Sequence, residues 1–355
     1  MRYFLELCLK SVEAAIQNID AEIIVIDNNS PDDSCAMVKQ LFPSVQLIEN
    51  KENLGFSKGN NIGVKQARGE YLCILNPDTV VAEDTFKKLI DFADTISNLG
   101  IVGCQLIDGK GKFLPESKRN IPKPKVALKK LIGDDKSYYA NQLEIDAVGN
   151  VEILVGAFMF VEKTVYDTVG GFDEDYFMYG EDIDLSYKVL KAGYRNMYFG
   201  ETTIIHFKGE STLRDANYAK RFYGAMQIFY KKHFKQNIIF NGLVWLGIKL
   251  ASKRSSGSVS LQTKANSSYI YSAGIEDALK DQLPQPTKLS DTILGDVGND
   301  SVLIYDFNLL NAMDVITDLK HKSKLKNIVF RFLPKNSKFI IGSDSAIHRG
   351  EVIHF

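Results

Sequence analysis

The sequence of 355 residues lacks several features that mark specialised proteins. Lys and Arg total 43 against 44 Asp and Glu, so the chain has no charge excess suited to binding nucleic acid. No apolar run reaches the roughly 18 residues expected of a membrane-spanning helix. The four cysteines form no CxxC pair, which predicts reduced thiols in the core and a cytoplasmic protein rather than a disulfide framework.

What remains is the composition of an ordinary globular protein. Hydrophobic residues make up 45% and charged residues 25%, which excludes wholesale disorder, collagen and coiled coil. The length suggests about two domains. Residues 255–268 are small and polar and predict a flexible linker. We therefore expect a large domain over residues 1–254 and a small α/β unit over 269–355, in which no chemistry-bearing motif occurs.

Strand and helix signals alternate in the first part of the chain. An amphipathic helix over the opening residues precedes strands at 22–27, 45–49 and 71–75 and helices near 37–41 and 58–66. This alternation predicts a mostly parallel sheet flanked by helices, in which ligands bind beyond the carboxyl ends of the strands. Asp27 and Asp78 follow two of these strands and should share one rim. Residues 114–145 contain three prolines and no clear period, which predicts a mobile excursion, and Val151–Val161 reads as a strand.

Four motifs appear together in a characteristic order. They are EIIVIDNNSPDDS from residue 22, NLGFSKGNNIGVKQARGEYLCILNPDT from residue 53, VGGFDEDYFMYGEDIDL from residue 169 and HFKGEST from residue 206. As a set they resemble the family 2 glycosyltransferases with the GT-A fold, particularly the rhamnosyltransferase-like branch, over about residues 2–235. The resemblance implies an inverting, metal-dependent enzyme. It would move a sugar, rhamnose by analogy, from a nucleoside diphosphate to a hydroxyl of a glycan or lipid-linked acceptor.

The donor-binding residues are expected on the first two motifs. Asp27 ends a strand, where a carboxylate can accept hydrogen bonds from a nucleobase or ribose, and the matching aspartate of the family contacts the nucleotide. An Asx-turn or helix cap is the alternative. The glycines and asparagines ahead of the second helix suit phosphate, or equally a capped turn. The predicted nucleotide-sugar set is Asp27, Asn29, Asn53, Gly55, Lys58, Gly59, Asn60 and Asn76.

The metal site implied by the resemblance centres on Asn76–Asp78. This NPD stands where the family carries its metal-binding DxD, with Asn76 replacing the first acid. Asp78 is the predicted ligand of Mn²⁺ or Mg²⁺, since such a cation keeps waters and substrate phosphates as its other ligands. His206 follows an apolar strand and would complete the site, as a histidine at this place can in the family. A simple turn is the alternative for NPD.

The predicted catalytic residues are Glu181 and Asp182 at the start of a helix. In the family the second acid of this motif is the general base that takes the acceptor proton, and a positioned base contributes roughly 10²–10⁴-fold. Capping is the ordinary role of acids in a first turn and is the expected role of Asp184. The sugar and acceptor pocket is expected to include Gly156, Gly171, Phe172 and Asp173, although core packing explains most of the nearby aromatics.

Residues 218–254 carry eight Lys or Arg and no Asp or Glu, together with many aromatics. Such a segment predicts peripheral contact with the inner membrane face, or a helix packed on the catalytic domain with a solvated basic edge. The sequence leaves these alternatives open.

Rival functions differ in how well the sequence excludes them. A nucleotide-binding oxidoreductase needs GxGxxG after its first strand, which is absent. A non-catalytic nucleotide-sugar or glycan-binding relative remains open. Family members also begin with an apolar strand before the helix that matches Tyr3–Ala15, and this chain shows none. We therefore expect a gap in the sheet, weak binding of nucleoside diphosphates, and tighter binding once such a strand is restored upstream.

Overall fold

The opening residues form helix α1, Arg2–Ala15, as their apolar spacing predicts. Its buried residues include Phe4, Leu7, Cys8 and Val12. The structure is a computed structural model that describes residues 1–124, 126, 134–209, 218–234, 265–345 and 349–355. No helix in these ranges is long and apolar enough to cross a membrane.

The predicted alternation of strands and helices follows α1. The elements are β1 Ile24–Asp27, α2 Ser34–Leu41, β2 Gln46–Glu49, α3 Gly55–Gln66 and β3 Tyr71–Leu75. Strands β1 and β2 pair in parallel as a sheet of their own. Within the described residues no ladder joins β1 to β3, so the sheet is interrupted between them. The mixed α/β class predicted from the sequence is confirmed.

The main sheet has the order β3-β7-β5-β8-β4, with β6 added on β8. Its other strands are β4 Thr79–Val80, β5 Leu99–Ile107, β6 Val148–Asn150, β7 Phe158–Glu162 and β8 Arg195–His206. Its helices are α4 Thr85–Ala93, α5 Lys163–Thr168 and α6 Glu181–Lys191, and a 3-10 turn spans Pro115–Ser117.

The expectation of a mostly parallel sheet is wrong for this part of the molecule. Among the described strands only β5 and β8 pair in parallel in the main sheet, and the remaining pairs are antiparallel. The regular alternation on which the prediction relied ends at α4. Later strands arrive by irregular connections, which do not impose a parallel direction as helical crossovers do.

Residues 114–145 are also more ordered than expected wherever the structure describes them. Lys118, Arg119 and Ala140 are buried, and Arg119 forms bridges with Tyr139 and Ile153. The mobile excursion is therefore wrong for the described part of this segment, because its polar residues have partners inside the protein. The strand predicted from Val151 begins only at Phe158.

Helix α7, Tyr218–His233, packs on the part of the chain that contains the main sheet. Its buried residues Ala225, Met226, Phe229 and Tyr230 join one hydrophobic cluster with Ile153 and other residues. This packing matches the second alternative for the basic segment as far as residue 234. The rest of that segment, 235–254, lies outside the described residues.

The second unit is a six-stranded sheet in the order β10-β9-β11-β12-β13-β14. Its elements are β9 Ser267–Tyr271, α8 Asp277–Lys280, β10 Thr287–Ser290, β11 Ser301–Asp306, α9 Ala312–Lys322, β12 Val329–Leu333, β13 Phe339–Gly342 and β14 Glu351–His354. The first four strands in this order pair in parallel and the last two antiparallel. Ser267 and Ser268 already belong to β9, so the linker predicted over 255–268 ends earlier than expected. Its residues 255–264 lie outside the described part of the chain.

The two units share a hydrophobic core. One cluster contains Phe4, Leu7, Ile205 and Phe207 from the first unit, which is the part of the chain that holds the main sheet. The same cluster contains a larger number of buried side chains from the second unit, including Phe332. Burial of this size makes the second unit an integral part of the fold rather than a loosely tethered appendage.

Candidate active site

Asp27 lies at the carboxyl end of β1 and is nearly buried, with 9% of its surface exposed. Its two carboxylate oxygens accept hydrogen bonds from the backbone amide of Ser30, at 3.1 and 3.3 Å. This is the turn-capping arrangement named as the alternative above. Asn29 is exposed with a φ of 61°, and the intervening Asn28 donates to the carbonyl of Gly55 at 3.0 Å. The β1 loop therefore contacts the start of α3.

The start of α3 is held by its own polar residues. The side-chain oxygen of Asn53 accepts from the amide of Gly55 at 3.0 Å, and the amide of Phe56 donates to the carbonyl of Phe177 at 2.8 Å. Gly55 has a φ of 80°, and a side chain there would meet the Phe177 carbonyl, so only glycine fits. Two amides expected to face phosphate thus have partners within the protein.

The remaining residues of this stretch behave differently. Asn60 donates back to the carbonyl of Phe56 at 2.9 Å, Lys58 is exposed, and Gly59 lies against the side chain of Asn28. Of these, Lys58 alone presents a mobile cationic group to solvent. It is the residue of α3 best suited to a diphosphate.

Asp78 and His206 come together at one edge of the main sheet. Pairing of β4 with β8 sets Thr79 opposite His206, which brings Asp78 Oδ1 to 3.4 Å from His206 Nε2. Asn76 Nδ2 also lies 3.4 Å from that nitrogen. Asp78 is fully buried, yet neither of its carboxylate oxygens has a hydrogen-bond partner in the described residues.

An unpartnered buried carboxylate is costly, and a bound cation is the usual compensation. The described residues contain no group of three or more His, Cys, Asp or Glu side chains that could hold a metal. At this place the described residues offer a carboxylate and an imidazole as donors. That set fits a divalent cation whose other ligands are water and diphosphate oxygens.

Glu181 and Asp182 open helix α6 and both are buried. Asp182 Oδ2 accepts from Arg119 Nη2 at 2.7 Å and from the amide of Gly156 at 3.1 Å, and its Oδ1 accepts from the amide of Ile183 at 2.8 Å. Burial, together with the charge of Asp182, raises the pKa of Glu181 to about 8. This shift favours the protonated form of Glu181 at neutral pH.

The predicted sugar and acceptor pocket is partly built from the following loop. Gly171 has a φ of 63°, and the amide of Phe172 donates to the side-chain oxygen of Asn61 at 3.1 Å. Asp173 is paired with Lys232 of α7. Phe172 is 2% exposed, so it acts as core at this loop and does not present its ring to a ligand.

Contacts connect these groups into one region. Asp182 holds the amide of Gly156, and the carbonyl of the next residue, Ala157, accepts from the amide of Asn76 at 3.0 Å. Asn76 in turn contacts His206. Asp182 and the pair Asp78–His206 are thus connected through Gly156, Ala157 and Asn76.

The sequence is similar to those of known proteins. Residues 3–166 match the sequence profile of the family described as Glycosyl transferase family 2. The chain contains a family 2 glycosyltransferase domain. The N-acetylglucosaminyl-diphospho-decaprenol L-rhamnosyltransferase of Mycobacterium tuberculosis is 28% identical over 229 residues, which cover 59% of this chain and 74% of that protein. The rhamnosyltransferase WbbL of Escherichia coli is 29% identical over 213 residues, 55% of this chain and 78% of that protein.

Among solved structures, the mannosyltransferase of Pyrobaculum calidifontis in complex with GDP-Man and Mn²⁺ is 17% identical, with a TM-score of 0.47 over 73% of each chain. The rhamnosyltransferase-like family and the enzyme class predicted from the sequence motifs are confirmed by the family match and the relatives.

In this glycosyltransferase, Arg119 is the site residue that sequence reasoning missed. It is 6% exposed, and it donates both to Asp182 and to the carbonyl of Leu154 at 2.6 Å. Its partner lies 63 positions away in the chain. The one available signal was an arginine in an irregular segment between prolines, which does not by itself indicate a site.

Proposed function

We propose that this glycosyltransferase is an inverting, metal-dependent enzyme. It would move a sugar, with rhamnose as the first candidate, from a nucleoside diphosphate to a hydroxyl of a glycan or lipid-linked acceptor. The observation that carries the proposal is the line of contacts from Asp182 through Gly156 and Asn76 to His206 and Asp78. This line of contacts supports a proposal in which one substrate meets a proton acceptor and the metal donors together.

Asp182 is the proposed general base. The Arg119 guanidinium and two backbone amides hold its carboxylate in one orientation, as a positioned base requires. As the acceptor oxygen bonds to C1 of the sugar, its proton passes to Asp182. The bond from C1 to the diphosphate oxygen breaks with its electron pair, and the nucleoside diphosphate leaves.

Inversion is supported by the state of the neighbouring acid. A retaining reaction through a covalent intermediate needs a second, ionised carboxylate as nucleophile. Glu181, the acid beside Asp182 in the chain, is poorly suited to this role, because burial raises its pKa to about 8 and so favours its protonated form at neutral pH. A single displacement at C1 with Asp182 as base therefore accounts for both acids.

Asp78 and His206 would hold the cation, Mn²⁺ or Mg²⁺. A bound divalent cation would supply charge neutralisation for the departing diphosphate. The protein's part is to keep a carboxylate and an imidazole 3.4 Å apart in a dry environment. Asp27, Asn29, Asn53 and the exposed Lys58 would contact the nucleotide portion of the donor. Gly156, Gly171 and Asp173 would border the sugar and acceptor.

The proposed location is the cytoplasm, with a peripheral position at the inner membrane face through residues 218–254. Helix α7 shows how the first part of this segment attaches to the catalytic unit, by an apolar face that leaves Lys231 exposed. A lipid-linked acceptor would favour such a position. Membrane contact itself remains a prediction.

Release of nucleoside diphosphate from a panel of thymidine, uridine and guanosine diphosphate sugars tests the function. We expect turnover with one donor in Mn²⁺ or Mg²⁺ and none in chelator. The Asp182→Asn variant controls for background hydrolysis. Donor binding without release across the panel would favour the alternative, a nucleotide-sugar-binding protein derived from such an enzyme.

A further inference from the structure

The second unit contacts the metal-donor edge of the first unit at Phe207. Phe207 follows His206 directly and is 1% exposed. Its ring centroid lies 5.0 Å from that of Phe4 in α1 and 5.4 Å from that of Phe332 in β12. Phe207 is thus clamped between the first helix of the chain and the sheet of the second unit.

The backbone of the same residue holds the other metal donor. The amide of Phe207 donates to the carbonyl of Asp78 at 2.9 Å. The adjoining ladder pairs Thr79 with His206 and Val80 with Ile205. Val80 and Ile205 are fully buried in the cluster that the two units share. The two-residue strand β4 is too short to fix this edge by its own hydrogen bonds, so packing must contribute.

Further contacts fix the second unit in place around this edge. Glu83, just beyond β4, accepts hydrogen bonds from the amides of Ala312 and Met313 at 2.6 and 3.0 Å and so caps helix α9. A Cβ added to Gly109 would lie 2.5 Å from the carbonyl oxygen of Ser343 in the second unit. The backbones of the two units therefore meet too closely for a side chain at that point.

We infer that the second unit is a positioning element of the glycosyltransferase, which holds Asp78 and His206 at metal-binding distance through Phe207. This assigns a role to a region in which no chemical motif occurs. The inference rests on the metal site of the proposed function. Phe207 and Phe332 act through the two donors and contact neither metal nor substrate.

A matched pair of variants tests this inference. Phe332→Leu and Ile340→Ala each remove three side-chain carbon atoms from a fully buried position in the second sheet. Phe332 faces the shared cluster and Phe207, whereas Ile340 lies in the cluster on the other face of that sheet. Gly109→Ala and Gly295→Ala form a second pair, since Gly295 has open space where a Cβ would lie.

The first measurement is Mn²⁺ affinity in the presence of thymidine diphosphate, followed by electron paramagnetic resonance. Groups that orient metal ligands typically change affinity by about 10–100-fold when lost, so for a packing contact one step further out we expect about fivefold weaker binding in Phe332→Leu. Ile340→Ala should stay close to wild type. Gly109→Ala should resemble Phe332→Leu, and Gly295→Ala should resemble wild type.

The second measurement needs no metal. The ring proton resonance of His206, assigned with His206→Gln, should move in Phe332→Leu and not in Ile340→Ala. If Mn²⁺ binds equally to all variants and this resonance does not move, the second unit has no positioning role. If wild type binds no Mn²⁺ but the resonance moves in Phe332→Leu alone, the proposed metal site fails and the positioning role stands.

Discussion

Asp182 and Asp78 are both buried carboxylates of the candidate active site, yet their surroundings are opposite. Asp182 accepts hydrogen bonds from a guanidinium and two backbone amides. Asp78 has only the His206 ring nitrogen at 3.4 Å, and its oxygens lack hydrogen-bond donors among the described residues. The protein supplies hydrogen-bond donors to the carboxylate of Asp182, and the described residues supply none to that of Asp78.

This difference suits the two carboxylates to different roles, one as a base and the other as a metal ligand. A carboxylate that its hydrogen-bond donors hold in one orientation can be presented to an acceptor hydroxyl as a base. A buried carboxylate without donors is stabilised only when a cation arrives. Two further acids extend the comparison: Glu181 avoids the cost of burial by remaining protonated, and Asp173 is ion-paired near solvent.

The largest effect is expected from Asp182→Asn. The amide keeps the shape of the side chain but cannot accept the acceptor proton, so transfer should fall by at least about 10²-fold, the lower end for a lost general base. Initial rates under saturating donor measure this. Donor binding by calorimetry serves as the control and should be unchanged. A variant with the wild-type rate would remove Asp182 from the role of base.

The next largest effect is expected from removing Arg119, the ion-pair partner of Asp182. Arg119→Met removes the positive charge and leaves a buried, unpaired carboxylate, which costs about 3–5 kcal/mol of stability when one partner of a buried pair is deleted. Denaturant unfolding of the variant measures this loss. The double variant with Asp182→Asn should recover much of the lost stability. If it does not, packing of Arg119 rather than charge explains its effect.

Asp78 should respond in the reverse direction. Asp78→Asn replaces a buried carboxylate whose oxygens lack hydrogen-bond donors among the described residues, so the metal-free protein should gain thermal stability, while the further stabilisation by Mn²⁺ is lost. Thermal unfolding with and without Mn²⁺ tests both signs. Asp182→Asn is the matched control and should keep the response to Mn²⁺. An Asp78→Asn protein that is still stabilised by Mn²⁺ would show that NPD is only a turn.

The contrast between these two aspartates could not be predicted from the sequence. Both were predicted as site residues because their motifs resemble those of the family 2 glycosyltransferases. Their environments depend on contacts far apart in the chain, such as Arg119 with Asp182 and Lys208 with Glu116 near His206. No local period reports such contacts.

The same limit applies to the fold. Strand Tyr71–Leu75 and helix α1 followed from local spacing because each buries one continuous apolar face. The antiparallel direction of β7 did not, since it is set by irregular residues before it. The burial of Arg119 in a segment predicted to be mobile was missed for the same reason.

Glu181 provides a pH test of the comparison. Its pKa is about 8 in the folded protein against 4.5 for the free group, so the folded state holds a proton that the unfolded state releases. Wild-type stability therefore falls as pH rises from about 4.5 to about 8. Glu181→Gln should remove this contribution, and its stability advantage should grow across that window and then level off. The exposed Glu201→Gln should show no such trend in matched unfolding experiments.

The smallest effect is expected for an ion pair that is partly exposed to water. Lys232 in α7 pairs with Asp173 and, at 2.6 Å, with Asp175, and its side chain is 29% exposed. Exposed pairs contribute about 0.2–1 kcal/mol, because solvent screens them and replaces their hydrogen bonds. Lys232→Ala should therefore cost little stability and less still in high salt.

Its consequence for function should be selective. Asp173 lies on the loop that would border the acceptor, so releasing it should raise the KM for acceptor by a few-fold, an effect of about 1 kcal/mol at most for such a pair. The KM for donor should stay unchanged. Lys231→Ala is the matched control, since that neighbouring lysine is exposed and has no ion pair in the part of the chain that the structure describes. Lys232→Arg should restore the acceptor KM, because it restores the charge beside Asp173. Equal KM values for acceptor in all three variants would show that the ion pair between Lys232 and Asp173 has no role in acceptor binding. Helix α7 would then hold the loop through its apolar face alone.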